Sequence, residues 1–317
     1  LEDVCLHTLQ LGAEVLVFDA DLKPSQLKQI GDATDLEVLD RTMLILDIFD
    51  QRARSHDGKL QVELARLKYS LPRLSLRQAG LSRLASGAGL RARGPGETRL
   101  EIDRRRAKDR IARLEREINT LSRRRQLRRK QRNDRGLPVI SIVGYTNAGK
   151  STLLNALTRS EVYVEDILFA TLDPTSRRLR FPREREVIIT DTVGFIKDLP
   201  QDLVVAFRAT LEELENADLL LHVIDISNPR YLEQIHSVED ILNDLRLEKL
   251  AVIRVLNKQD LVDPELVRTL SARLDGIPVS ADTAGTLMPL IERMQKHFLP
   301  ALENRSIAGG RKPEGDT

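Results

Sequence analysis

One stretch, from Ser141 to Leu157, limits what this 317-residue chain can fold into. A β-branched run, Val139 to Val143, breaks into Gly144, Tyr145, Thr146, Asn147, Ala148, Gly149, Lys150 and Ser151, and then into the helix formers Leu153, Leu154, Ala156 and Leu157. The pattern G-x-x-x-x-G-K-S between a strand and a helix is a phosphate-binding loop. Its glycines let successive N–H groups converge on phosphate oxygens, and the helix that follows directs its positive dipole end at the same anion. Lys150 adds a charge for the β and γ phosphates, and the Ser151 hydroxyl is placed to hold Mg²⁺. A glycine-rich turn matching by accident would not explain the strand before it and the helix after it.

Beyond this loop, apolar runs alternate with helical stretches. Glu186 to Asp191, Leu219 to Asp225, Ala251 to Asn257 and Ile277 to Val279 read as strands. Continuous apolar strands separated by helices predict an α/β fold with a doubly wound, mostly parallel sheet over residues 137–302. Its ligand belongs at the carboxyl ends of the strands.

Three further motifs fall at those ends. Asp191, Thr192, Val193 and Gly194 close a strand, where the carboxylate can reach Mg²⁺ through a water and the Gly194 N–H can approach a γ phosphate. Upstream, Phe169, Ala170, Thr171, Leu172 and Asp173 occupy the connection before that strand. Thr171 is preferred to Thr175 as a further Mg²⁺ ligand and γ-phosphate sensor, against the plainer reading of either as a helix cap. Asn257, Lys258, Gln259 and Asp260 follow another strand. A carboxylate at Asp260 can accept from both N1–H and the exocyclic amine of guanine, which adenine cannot match, while the Lys258 stem covers the ring. Ser280 and Ala281 can offer backbone N–H groups to the guanine carbonyl. Together these select GTP, with Lys150, Thr171 and Gly194 closest to the transferred phosphate.

Residues 1–55 read as a small α/β piece: strands at Glu14–Asp19 and Leu36–Leu39, helices at Pro24–Ile30 and Arg41–Arg54. About fifty residues make a poor independent core, so this piece reads as the remainder of a larger one. Leu60, Leu64, Leu67, Leu71 and Leu74 alternate spacings of four and three, as do Ala107, Ile111, Leu114, Ile118 and Leu121. Two such seams predict an antiparallel helical hairpin over residues 56–136. Between them, Ser75 to Thr98 interleaves glycines with arginines and reads as a long loop suited to phosphate recognition, or else as a solvated charge run. Residues 303–317 read as a disordered tail.

Charge is unevenly placed. The net is only +2, yet Arg91 to Arg135 holds 18 Lys or Arg against 7 Asp or Glu. A basic element on an otherwise acidic chain points to a polyanion. Aromatic residues are 3% of the chain and Trp is absent, which disfavours single-strand binding by base stacking and suits folded RNA read by shape and phosphate. The lone Cys5 rules out an internal disulfide and reads as a small core residue. No apolar run approaches the roughly 20 residues of a membrane span. A monomeric cytoplasmic protein is expected. Because the chain opens on Leu1 instead of Met, an upstream targeting segment would make it organellar.

The combination of Arg93, Gly94, Pro95, Gly96, Glu97 and Thr98, then Asp103 to Arg106, Gly144 to Ser151, Phe169 to Asp173, and Leu211 to Glu213 resembles the HflX family of ribosome-associated GTPases over nearly all of the chain. The resemblance implies an N-terminal region whose hairpin loop contacts ribosomal RNA of the large subunit, and a role in splitting or rescuing stalled ribosomes. The N-terminal part is some tens of residues short of the family pattern, and a C-terminal domain found in some members is absent. The rival expectation is an RNA-binding or RNA-remodelling module whose nucleotide only gates affinity. Two features bear on how hydrolysis is triggered. Phe195 stands where related enzymes carry a water-positioning Gln, and Asn147 stands where several enzymes lacking that Gln hold K⁺; alternatively, Asn147 is a turn residue that tolerates positive φ.

Overall fold

The computed structural model describes residues 2–86, 99–133, 137–158, 175–181, 186–192, 194–197 and 214–309. These fall into two compact units, one of residues up to Arg128 and one from Arg129 onward. The Cys5 side chain, Phe169 to Asp173, Val193, and Leu211 to Glu213 lie outside the described residues, as do residues 87–98 and 310–317.

In the first unit, β1 (Val15–Val17) and β2 (Glu37–Leu39) pair in parallel, Val15 opposite Glu37, and α2 (Pro24–Thr34) makes the crossover between them. Pro24 fits the first turn of α2 because its missing N–H would have had no intrahelical partner there. Ahead of β1 lies α1 (Glu2–Leu11), which apolar periodicity did not reveal. Its Leu6, Leu9 and Leu11 are exposed, so it lacks the buried stripe that such a reading relies on. α3 (Arg41–Arg52) starts where the Asp40 side chain accepts the Met43 N–H at 2.9 Å.

Asp40 does more than cap. Fully buried, it also accepts from the Tyr69 hydroxyl, from Arg73 Nη2 at 3.2 Å and from the Leu22 N–H at 3.4 Å. Both Tyr69 and Arg73 belong to α4 (His56–Ser86), and the Arg73 guanidinium lies 3.4 Å over the Tyr69 ring. Burial, with the Asp40 hydrogen bond, holds the Tyr69 phenol above its ordinary pKa and so keeps it a donor. One carboxylate thus ties α4 to the start of α3.

α4 and α5 (Arg99–Asn133) pack in a cluster of Leu60, Leu64 and Leu114, with Leu67, Ile111, Ile118 and Leu121 against it. The cluster thus joins Leu60, Leu64 and Leu67 of one expected seam to Ile111, Leu114, Ile118 and Leu121 of the other, and the Leu74 side chain lies outside the described residues. His56–Glu117 at 3.3 Å and Glu63–Arg110 at 2.7 Å advance in opposite directions along the two helices, as an antiparallel pair requires. Lys68–Glu115 at 2.7 Å does not follow that step. The helix enters the stretch expected as a loop: α4 runs through Pro72 and Gly80 to Ser86, because leucine, alanine, arginine and glutamine, all good helix formers, supply eight of the twelve residues from Ser75.

The second unit holds a six-stranded sheet in the order β4-β5-β3-β6-β7-β8. Its parallel strands are β3 (Val139–Gly144), β5 (Glu186–Asp191), β6 (Leu219–Asp225), β7 (Val252–Asn257) and β8 (Gly276–Pro278). At the edge, β4 (Thr175–Arg180) pairs antiparallel with β5. One face of the sheet packs with α6 (Lys150–Thr158) and α9 (Met288–Gly309) around Ile142, Leu154, Leu221, Leu290 and Met294. The opposite face carries Ile224 and Leu256 against Ile235 of α7 (Tyr231–Asp244) and Val267 and Leu270 of α8 (Pro264–Leu274). The tail expected from residue 303 is helical over its described part, as far as Gly309, since Ala301, Leu302, Glu303 and Arg305 favour the helix.

His222 lies on β6 between Val143 and Arg254 and is 2% exposed. Burial, with the positive charges of Arg254 and Lys150, pushes its pKa down to about 3. Unfolded His titrates near 6.5, so between those values the unfolded chain binds more protons. The neutral ring is therefore tolerated fully above pH ~6.5, and stability is lost as pH falls from there toward 3. Between pH 7 and pH 5 the second unit should lose about 2 kcal/mol more in the wild-type chain than in His222→Leu, measured by urea unfolding.

Candidate nucleotide site

The carboxyl ends of β3, β5, β6 and β7 present Gly144, Asp191, Asp225 and Asn257 at one edge of the sheet. The phosphate loop fits there only because two residues lack side chains. At Gly144, with φ of 154°, a Cβ would lie 2.3 Å from the Val223 carbonyl oxygen. At Gly149, with φ of 90°, it would lie 2.2 Å from Asn257 Nδ2. Between them Asn147 takes a left-handed φ of 62°, which Asn tolerates better than most residues, and is exposed.

Lys150 opens α6 and is 7% exposed, with Nζ donating to the Tyr145 carbonyl at 2.9 Å. Burial lowers its pKa to about 8 while the Asp191 charge works in the opposite direction. It remains mostly an ammonium at neutral pH, and an anion in the loop would relieve the penalty of burying it. Ser151 Oγ donates to Asp191 Oδ2 at 2.6 Å. A hydroxyl and a carboxylate this close provide the hard oxygen donors that a divalent cation such as Mg²⁺ takes, either directly or through water.

The stretch after β5 folds back onto the loop. Thr192 spends its hydroxyl on the Ile142 carbonyl at 2.6 Å, which makes it a brace. A Cβ on Gly194 would come 2.8 Å from Thr146 Cα and 3.0 Å from Lys150 Nζ. Phe195 is 2% exposed; its N–H donates to the Gly144 carbonyl at 3.1 Å, and its carbonyl accepts the Thr146 N–H at 2.8 Å.

On the base side, Asn257 joins three segments. Its Nδ2 donates to the Ala148 carbonyl at 2.9 Å, and its Oδ1 accepts the Ala281 N–H at 3.1 Å. Lys258 has a left-handed φ of 64° and forms an ion pair with Asp225 at 2.8 Å. Gln259 donates its N–H to the Val279 carbonyl at 3.2 Å. Asp260 is exposed on the short 3₁₀ turn Gln259–Leu261, accessible to a base edge. The expectation for Ser280 and Ala281 needs revision: their N–H groups are engaged inside the protein, Ser280 with Thr286 Oγ1 at 2.9 Å and Ala281 with Asn257. Thr175, the candidate passed over, begins β4 opposite Asp191.

Sequence reasoning missed Asp225 and Thr286. Asp225 holds Lys258 with one oxygen and accepts from both the N–H and hydroxyl of Ser227 with the other. Its position at a strand end before Ser227, Asn228 and Pro229 is a readable turn signal. Thr286 lies on no motif.

The chain is 49% identical over 303 residues to GTPase HflX of Caldanaerobacter subterraneus subsp. tengcongensis, covering 96% of this chain and 69% of the relative. It is 43% identical over 290 residues to GTPase HflX of Escherichia coli, covering 90% and 68%. The chain belongs to the HflX GTPase family. Family profiles described as GTP-binding GTPase N-terminal, GTP-binding GTPase Middle Region and 50S ribosome-binding GTPase match residues 1–50, 52–132 and 139–258. The crystal structure of SsGBP in complex with GDP superposes with a TM-score of 0.53 at 29% identity, covering 89% of this chain and 80% of that one. As an HflX-family protein with a P-loop GTPase fold, it hydrolyses GTP.

If Asp260 reads the guanine edge, Asp260→Asn should exchange GTP for xanthosine triphosphate, whose C2 carbonyl wants a donor. A fluorescent-nucleotide titration should show GTP affinity falling by about tenfold or more and the xanthine nucleotide gaining.

Proposed function

We propose that this HflX-family chain is a GTP-driven switch that docks on the large ribosomal subunit through its basic helix α5 and splits or rescues stalled ribosomes. The observation that carries this reading is the charge of α5: fifteen Lys or Arg against five Asp or Glu, with Arg104, Arg105 and Arg106 exposed in one run. A helix so charged suits phosphates of folded RNA, and the profile matching residues 139–258 is described as a 50S ribosome-binding GTPase. Among the described residues no helix is long and apolar enough to cross a membrane.

In this reading the loop N–H groups and Lys150 hold the β and γ phosphates, Gly194 approaches the γ phosphate, and Asp260 reads guanine. Ser151 and Thr171 would ligate Mg²⁺, with Asp191 reaching it through a water. When bound, Mg²⁺ neutralises charge on the β and γ oxygens. Phe195 is turned into the core and can neither donate to nor accept from an attacking water. Intrinsic hydrolysis is then slow, and the subunit supplies the missing stabilisation; triggers of this kind reach ~10³ to 10⁵ in rate in related systems. Asn147, exposed in the loop, would help hold a K⁺ that plays a similar part.

Two measurements test this. Binding of the chain to large subunits should weaken steeply with salt, log K falling by roughly 0.7 to 0.9 per phosphate contact. Replacing Arg104, Arg105 and Arg106 by Ala should flatten that slope with nucleotide affinity unchanged; an unaltered slope assigns these arginines to a solvated face. Separately, GTP turnover should be faster in K⁺ than in Na⁺ at equal ionic strength. Asn147→Gly, which keeps the left-handed backbone, should erase that preference while still binding GDP. Equal rates in the two salts for the wild-type chain would refute the cation role.

A further inference from the structure

Tyr145 stands where three constraints on the phosphate loop meet. Its carbonyl accepts from the Lys150 ammonium at 2.9 Å. Its backbone forms an isolated parallel bridge with Phe195, flanked by the Phe195 to Gly144 and Thr146 to Phe195 hydrogen bonds at 3.1 and 2.8 Å. Its half-buried phenol oxygen accepts the Lys197 N–H at 3.2 Å.

The bridge is also out of step. β3 and β5 pair with Ile142 opposite Asp191, and continuing that register would set Tyr145 opposite Gly194. The bridge falls on Phe195, so one extra residue is accommodated between the strand and the bridge, as in a bulge. Bulges re-aim the chain, and a pairing of one bridge fixes register weakly. The segment that carries Gly194 past Lys150 therefore needs another hold, and the Lys197 N–H on the Tyr145 phenol provides it.

We propose that the Tyr145 hydroxyl is a positioning element for GTP hydrolysis: by pinning Lys197, it keeps Gly194 and Phe195 in the register that sets Gly194 beside the Lys150 ammonium. The phosphate loop and the segment after Asp191 then respond as one body, with Tyr145 linking the charge that faces the phosphates to the chain that senses the γ phosphate. This inference rests on the role given to Gly194 above.

Tyr145→Phe removes the hydroxyl alone. In multiple-turnover assays of the full chain, kcat should fall about three- to tenfold, the effect of one hydrogen bond, with KM, GDP affinity and thermal midpoint near wild type. Amide exchange at Lys197 and at Phe195 should quicken, while the Leu153 amide, bonded to the Gly149 carbonyl at the start of α6, stays protected. Wild-type kcat in Tyr145→Phe overturns the proposal. So does a fall in kcat accompanied by loss of GDP binding or of Leu153 protection, because that marks a general loosening of the loop. Failure of the ribosomal reading is distinct: it would appear as a wild-type chain whose turnover ignores large subunits, whatever Tyr145→Phe does.

Discussion

The nucleotide site depends on one buried amide. Asn257, at the end of β7, donates to Ala148 in the phosphate loop and accepts from Ala281 beyond β8, so a single side chain sets the spacing of three loops from different parts of the sequence. It is 2% exposed, and losing either bond would strand a buried backbone group at about 1–3 kcal/mol. The same amide explains Gly149, since its Nδ2 occupies the space where a Cβ would lie. Gly144 is explained by the neighbouring strand in the same way: β6 is packed so close to β3 that the Val223 carbonyl leaves no room for a side chain. The glycines of the motif are thus fixed by the sheet as well as by the phosphates they are expected to meet.

The first unit solves a different problem with a similar device. Two paired strands of three residues are too short to stand alone, and Val15 and Val17 are half exposed. Order comes instead from α3 packing on α4, where Leu46 and Phe49 of one helix and Val62 and Ala65 of the other are buried, and from Asp40, whose buried carboxylate is satisfied by donors from three segments. A buried charge left with fewer partners would be costly, so the network tolerates few alternative placements of α4. The basic helix α5 packs on that same α4 through Leu114. Directional polar contacts at Asp40 and buried apolar residues together set the frame from which the arginines project.

What the sequence made legible follows from where its signals are local. Val139 to Val143 and Leu219 to Ile224 are apolar on both faces of the sheet, so their runs are unmistakable, and the motif residues fall at their ends. β4 was hidden because Thr175 to Arg180 contains one apolar residue, Leu179: an edge strand needs to bury only one side. The extension of α4 past Leu74 was hidden because Gly80 and the glycines and arginines that follow it read as a loop. In the site, the glycines, Lys150 and Asp260 could be read off a pattern. The capture of the Ser280 N–H by Thr286 and of Lys258 by Asp225 could not, because each joins residues whose spacing carries no periodic signal.

The geometry also separates holding a nucleotide from cleaving it. Lys150 is buried at a cost visible in its lowered pKa of about 8, and a phosphate in the loop relieves that cost, so part of the affinity is built in before any ligand arrives. That relief acts on the bound substrate and the transition state alike, and uniform binding does not raise the rate of the bound complex. The groups able to discriminate between them would have to face the attacking water, and at the first position beyond Gly194 the chain offers a buried phenyl ring. In the function proposed above, a site of this kind holds GTP until a partner acts on it. Under that same proposal the strongly basic α5 gives slow hydrolysis a use: the interval between nucleotide binding and cleavage would be the time available to find a polyanionic partner, and the partner that ends the interval would be the one that completes the site.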